Sequence, residues 1–270
     1  MLCFCTLASL SLSNGWGQAP KPYFGFDRND YPGDALLPAL RRSFSYTGYW
    51  LNNPPQEKSN SWVGKRETLK ASGFGFLILY NGRLDAQLKG KDAAALGRAD
   101  AATAIAAAKR EGFPSGAILF LDQEEGGRLL PEQSAYLFSW VKAVRQSQYR
   151  PGVYCSAILV PDGSDQISTA RDILSHDLSN DSQVALWVAN EQCPPAPGCV
   201  IPNHSLSTAS SGISQAVVWQ YAKSPRTQYA AQCSGTYATD NECYPPGMTH
   251  SPATFVDLNV SASADPSHGR

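Results

Sequence analysis

Residues 117–127 read Ala-Ile-Leu-Phe-Leu-Asp-Gln-Glu-Glu-Gly-Gly, an unbroken apolar run that stops in three carboxylates and two glycines. A run without polar alternation reads as a strand buried on both faces, and polar groups just past the C-terminal end of such a strand are where parallel barrels carry their chemistry. Asp122 and Glu124 stand two apart in extended chain, so both point to the same side with Cα atoms about 6.6 Å apart. They can share one substrate. Glu125 is expected to face the other way. A D-x-E spacing is also what a solvated acidic turn shows, so the rest of the chain has to decide.

The apolar texture recurs at 23–27, 46–51, 74–80, 151–156, 184–191, 216–222 and 254–260, which with the central run makes eight strands. Between them the sequence predicts short helices near 38–44 and 65–72, an Ala-rich helix at about 92–111 and a helix starting at Pro131. The last of these carries Tyr136, Leu137, Trp140, Val141 and Val144 on one face. A fifth crossover helix is expected at about 165–178. The pattern then changes, because 192–214 is rich in Pro, Ser, Thr and Gly without a helical period. Strands this apolar need cover on both sides. The fold expected is therefore α/β, a modified (β/α)8 TIM-type barrel whose last three strands lack regular crossover helices. A doubly wound open sheet is the alternative, but Phe26-Asp27-Arg28-Asn29 stands where a Gly-rich phosphate turn would follow the first strand.

The opening stretch, Met-Leu-Cys-Phe-Cys-Thr-Leu-Ala-Ser-Leu-Ser-Leu, is too short for a bilayer span and leads to Gly17-Gln18-Ala19-Pro20, a small-residue pattern that suits signal cleavage. Residues 1–19 are expected to be a secretory signal, 20–262 a single barrel domain and 263–270 a disordered tail. No other stretch approaches a membrane span. The reading places the mature chain in the secreted, periplasmic or cell-envelope space. Cysteine usage agrees, since Cys193 with Cys199 and Cys233 with Cys243 fall as close pairs in Pro/Gly-rich loops where bridges would staple an exported chain. Cys155, in an apolar strand, reads as a buried hydrophobe. His176, His204, His250 and His268 form no i,i+4 pair and read as surface residues, and C-x-x-C spacing is absent, so neither a metal nor a cofactor is expected.

In a barrel the strand ends are read together. They carry Asp27, Tyr49 with Trp50, Tyr80, Asp122 with Glu124, Tyr154, Trp187 with Asn190, Trp219-Gln220-Tyr221, and Asp257 with Asn259. Four acids and a ring of aromatics at one mouth suit a neutral sugar: rings for its faces, amides and phenols for its hydroxyls, carboxyls for the acetal bond. Phosphate chemistry would want a cationic or metal clamp, for which only Arg28 offers itself. A net charge of −1 argues against a nucleic-acid partner.

The motifs GFD (25–27), LDQE (121–124), GVYCS (152–156), LWVA (186–189), WQY (219–221) and VDLN (256–259), in that order, resemble the glycoside hydrolase family 25 lysozyme fold. The resemblance is closest to the related bacterial glycoside-hydrolase-like group called domain of unknown function 1906, and it spans residues 23–260. It implies Glu124 as general acid, Asp122 orienting a substrate N-acetyl group that serves as nucleophile, and Asp27 and Asp257 stabilising the cationic transition state. It implies a sugar cleft lined by Tyr154, Trp187, Trp219 and Tyr221, to which the strand-end reading adds Tyr49, Tyr80, Gln220 and Asn259. A general acid works best with its pKa raised by apolar walls. The expected partner is a polysaccharide, peptidoglycan among them, either cleaved or, in the alternative reading, only bound. Two positions depart from family 25: Asn29 replaces a serine, and Glu191 an aromatic.

Overall fold

The computed structural model of the chain describes residues 22–180, 183–193, 207–222 and 256–270, without the side chains of 177–180 and 191–193. The signal segment, Cys199, Cys233, Cys243, His204 and His250 lie outside the described residues, and Cys193 is described by its backbone alone.

In chain order the strands are β1 (Tyr23–Asp27), β2 (Tyr46–Trp50), β3 (Gly75–Asn81), β4 (Ile118–Gln123), β5 (Arg150–Ser156), β6 (Val160–Asp162), β7 (Asp165–Ile167), β8 (Ala185–Cys193), β9 (Ala216–Ala222) and β10 (Asp257–Ser261). The helices are α1 (Leu37–Arg41), α2 (Arg66–Ala71), α3 (Asp85–Leu88), α4 (Ala93–Arg110), α5 (Pro131–Arg145) and α6 (Thr169–Asn180). Eight strands close a barrel in the order β1-β10-β9-β8-β5-β4-β3-β2, while β6 and β7 pair as a separate hairpin. Residues 165–167 are spent on that hairpin, so α6 starts at Thr169, four residues later than the sequence suggests. The one-turn α3 escapes periodicity analysis because four residues hold no repeat. Among the described residues no helix is long and apolar enough to cross a membrane.

The barrel strands run parallel except β10, which is antiparallel to both β1 and β9. The reversal matters for the site. Asp257 is the first residue of its strand, and only because β10 runs backwards does it reach the rim where β1 ends, with Asp257 in register against Asp27.

β3 and β4 are buried almost throughout, as their apolar runs require. Outside them α4 and α5 pack closely, and Gly97 sets the spacing: a Cβ there would stand 2.2 Å from the Tyr136 carbonyl oxygen. Gly to Ala inside a helix ordinarily stabilises by about 1 kcal/mol. Here Gly97→Ala is expected to destabilise instead, by about 1–3 kcal/mol, because two backbones must separate. Thermal unfolding followed by circular dichroism measures the sign.

Residues 263–270, expected to be disordered, are instead seated across the N-terminal ends of β3 and β4. Phe76 N donates to Asp265 Oδ1 (2.8 Å) and Ile78 N to Ser267 Oγ (3.0 Å). Ser267 N donates to the Phe76 carbonyl (2.9 Å), and Ile118 N to the Ser267 carbonyl (2.8 Å). The buried Arg66 guanidinium, stacked on Phe113 (5.1 Å), donates to Gly269 O (2.8 Å). Strand ends leave backbone groups without ladder partners, and a short polar segment is what can satisfy them. The composition that suggested disorder is the composition of a hydrogen-bonded plug.

Candidate active site

Strand alternation decides which side chains enter the barrel. Asp27 (β1), Trp50 (β2), Leu79 (β3), Asp122 (β4), Tyr154 (β5), Trp187 (β8), Gln220 (β9) and Asp257 (β10) line one cavity of about 480 Å3, together with Glu124 just beyond β4. Every barrel strand contributes. The four acids anticipated from the sequence are therefore in one place. Asp27 and Asp122 are buried at the floor, whereas Glu124 is exposed at the rim and forms no hydrogen bond or ion pair with the described residues. Among the described residues Glu124 is therefore not enclosed.

Beneath the cavity two amides converge on Asp27. Asn259 Nδ2 donates to Asp27 Oδ1 at 2.6 Å, and Gln220 Nε2 donates to the same oxygen at 3.1 Å. Each amide carbonyl is held in turn: Asn259 Oδ1 by Trp187 Nε1 (2.9 Å) and Gln220 Oε1 by the Tyr154 hydroxyl (2.8 Å). Asn259 thus serves beneath the floor and does not line the cleft. Gly25 and Gly48 make room for this layer. A Cβ on Gly25 would fall 2.0 Å from the Tyr46 ring, and one on Gly48 would fall 2.8 Å from Asp27 Cβ.

The remaining wall comes from loops that no motif marked. Asn29 after β1, Pro55, Gln56 and Glu57 after β2, Asn81 at the end of β3, and Gly82, Leu84 and Gln87 beyond it complete the lining. Asn52 and Asn81 exchange side-chain to backbone bonds (Asn52 Nδ2 to Asn81 O, 3.0 Å; Asn81 N to Asn52 Oδ1, 2.7 Å), tying the two loops. Asn29, the position that departs from family 25, donates to Pro55 O (3.1 Å) and so braces the same wall. Gly82 is required there, since its Cβ would meet Asp122 O at 2.4 Å. Glu57 adds a fifth carboxylate that sequence reasoning missed; an acid in a Pro/Asn loop carries no periodic signal.

Four expected cleft residues lie elsewhere, for the alternation reason. Tyr49, one before Trp50, points outward, bonds to Glu111 and packs on Phe113 (5.1 Å). Tyr80 faces the helix layer beside Asp100, and burial with that carboxylate raises its phenol to about 12. Trp219 donates to Asn190 O (2.9 Å), and Tyr221 packs against Trp219 and, edge-on, against Phe24 (6.3 Å). Asn190 itself donates to Ser211 O (2.8 Å), away from the cavity. Glu125 does face away from Asp122 and Glu124. It accepts from Asp85 N (2.7 Å) and Gln133 Nε2 (2.6 Å), anchoring the starts of α3 and α5 where helix dipoles favour an anion. Cys155 is buried, which pushes its thiol well up. His176 is half-buried, its Nδ1 2.9 Å from Asp172 O, while His268 is exposed.

Electrostatics show the convergence directly. Burial pushes the Tyr154 hydroxyl far above the usual phenol range, and the charges of Glu124, Asp122, Asp27 and Asp257 add to the shift. One hydroxyl feels all four. Burial lowers Arg28, opposed by the charges of Asp30 and Asp257. No Lys, Arg or His is among the described residues that line the cavity, and no three His, Cys, Asp or Glu among the described residues are grouped as metal ligands. A negatively charged pocket with one carboxyl at the rim and others below can protonate a leaving oxygen and stabilise positive charge on a neighbouring carbon.

The sequence model of the Rv2525c-like, glycoside hydrolase-like domain matches residues 45–198. Among solved structures, an uncharacterized B. stearothermophilus protein superposes with a TM-score of 0.57 at 21% identity, covering 88% of this chain and 95% of that one. The Clostridium perfringens spore cortex lytic enzyme SleM gives 0.55 at 14% identity, covering 91% of this chain and 69% of that one. The Mycobacterium tuberculosis Tat-secreted protein Rv2525c, in complex with L-tartrate, gives 0.52 at 12% identity, covering 89% and 95%. At such identities the likeness establishes the fold alone. No curated protein matches in sequence. The family match extends over more than half of the chain, from β2 through β8, and on that match the chain belongs to the Rv2525c-like, glycoside hydrolase-like domain family.

Proposed function

We propose that this chain is a glycoside hydrolase that cleaves a bacterial glycan outside the cell, with peptidoglycan the first substrate to try. The observation that carries the reading is the gathering of Asp27, Asp122, Glu124 and Asp257 around the Tyr154 hydroxyl in one cavity. Glu124 donates the proton to the glycosidic oxygen; Asp122 orients the reacting sugar; Asp27 and Asp257 offset the cationic transition state. The fold shared with a spore cortex lytic enzyme supports the substrate class, and the fold shared with a Tat-secreted protein supports the location. A second reading, a glycan-binding protein without turnover, draws on the exposure of Glu124 at the rim.

A panel of purified peptidoglycan and other bacterial polysaccharides separates the two. Release of new reducing ends supports the hydrolase; retention of glycan in a pull-down without any release supports the binder. Export carries its own test. With Cys193–Cys199 and Cys233–Cys243 bridged, the denatured mature chain is expected to titrate one thiol, Cys155; five titratable thiols would contradict both bridges.

A further inference from the structure

Trp187 reads from the sequence as a stacking platform, yet its indole is fully buried, edge-on to Tyr154 (ring centroids 4.8 Å) and Phe120 (5.9 Å). No sugar face can lie on a ring so covered. What Trp187 directs at the site is its N–H, which meets Asn259 Oδ1 at 2.9 Å while Asn259 Nδ2 meets Asp27 Oδ1 at 2.6 Å. An indole N–H only donates, so the Asn259 atom facing it has to be the carbonyl oxygen. The amide is left with one orientation, its N–H groups towards Asp27. The Gln220 arm is less determinate, because the Tyr154 hydroxyl that meets its carbonyl can donate or accept. Of the two amides that meet Asp27, Asn259 alone is also held from its far side by a group that can only donate.

We propose that Trp187 is a positioning residue which, through Asn259, holds Asp27 in a single orientation as a hydrogen-bond acceptor at the cavity floor. The inference rests on the hydrolase reading for its catalytic consequence. Without the indole N–H the buried Asn259 carbonyl loses its partner, and the amide can turn its oxygen towards a carboxylate that already faces Asp257 across the β1–β10 pair. Among the described residues, Asp122 and Glu124 on the β4 side, Tyr154 on β5 and Tyr46 on β2 are further titratable groups around it, with Arg28 next in the chain.

Trp187→Phe keeps a buried aromatic ring and deletes the donor, at the cost of a small cavity where the larger indole ring stood. Loss of a hydrogen bond that orients a metal ligand typically lowers activity about 10- to 100-fold, and a loss on that scale is expected here, falling on kcat with KM within about twofold of wild type. The acid limb of the pH–rate profile should move to higher pH, since a donor to the Asp27 anion has been weakened. A residue that only fills space would lower Tm without moving the profile. Folded Trp187→Phe with wild-type kcat and an unmoved profile overturns the proposal. Should that variant fold poorly, NMR of the wild type decides. The Trp187 indole proton should titrate together with the Asn259 amide across the carboxylate range, and both titrations should vanish in Asp27→Asn; a flat indole resonance overturns the proposal. A wild type that cleaves no glycan would sink the hydrolase reading, while the resonance titration would still decide the role of Trp187.

Discussion

Glu124→Gln is expected to lower glycan turnover by about 100- to 10,000-fold, the usual contribution of a positioned general acid. The substitution preserves shape and removes the proton. Glu124 is exposed and bonds to none of the described residues, so no folding contact is lost and the melting temperature should stay within about 1 °C of wild type. Glycan capture should persist, because the floor and both loop walls are untouched. Reducing-end release, thermal melting and a pull-down on the same preparation check the three statements together. Undiminished release in a folded variant would remove Glu124 from the chemistry; parallel loss of melting temperature and release would reduce it to a structural residue.

Deleting residues 263–270 is the second large effect, and it falls on stability. The segment supplies the partners of Phe76 N, Phe76 O, Ile78 N, Ile118 N and the Arg66 guanidinium, and Ser267 is wholly buried where it does so. At about 1 kcal/mol for each of these five bonds, the loss is about 5 kcal/mol. That lowers Tm by about 10–20 °C at about 2–4 °C per kcal/mol for a domain of this size. Gly75 shows how closely the segment is seated, since a Cβ there would lie 2.1 Å from Ala264 O. Asp265→Ala, which removes acceptors for Phe76 N, Gly269 N and Arg270 N, should reproduce part of the loss. A truncated chain that melts with wild type would show that the strand ends need no plug.

Much of the architecture was legible because burial writes itself into composition. β1 and β9 fall at the residues their apolar runs delimit, and β4 ends at the DQE that announced it. The acids were legible for the same reason: a carboxylate ending an apolar run has nowhere to go but a rim. Side-chain direction was harder. Tyr49, Tyr80, Trp219 and Tyr221 sit one residue away from cavity-lining positions, and a one-residue step in a strand reverses the face. An aromatic is tolerated on either face, so its identity does not reveal which one it takes. The carboxylates of Asp27 and Asp122, intolerable in the apolar helix layer without partners, were better guides.

What composition could not reveal was polarity serving structure. The serines and Asp265 of the last segment look like a solvated tail, and residues 165–167, the second strand of the hairpin, look like the start of a helix. The hairpin is held by backbone pairing, and the last segment combines local bonds, such as Gly269 N and Arg270 N to Asp265, with bonds to distant strand ends, and none of these leaves a periodic signal. The reversed direction of β10 is likewise invisible in its sequence, because a short buried strand reads the same in either sense. Asp257 reached the predicted rim although the strand carrying it runs opposite to the parallel barrel rule.

A crystal structure of Glu124→Gln soaked with a peptidoglycan oligosaccharide would reach the centre of the account. The hydrolase reading requires a glycosidic oxygen within about 2.6–3.2 Å of the side chain at 124, with Asp27, Asp122 and Asp257 grouped around the sugar ring on one side of that bond. A glycan seated outside the cavity, or crossing it with every glycosidic oxygen beyond reach of position 124, would contradict it.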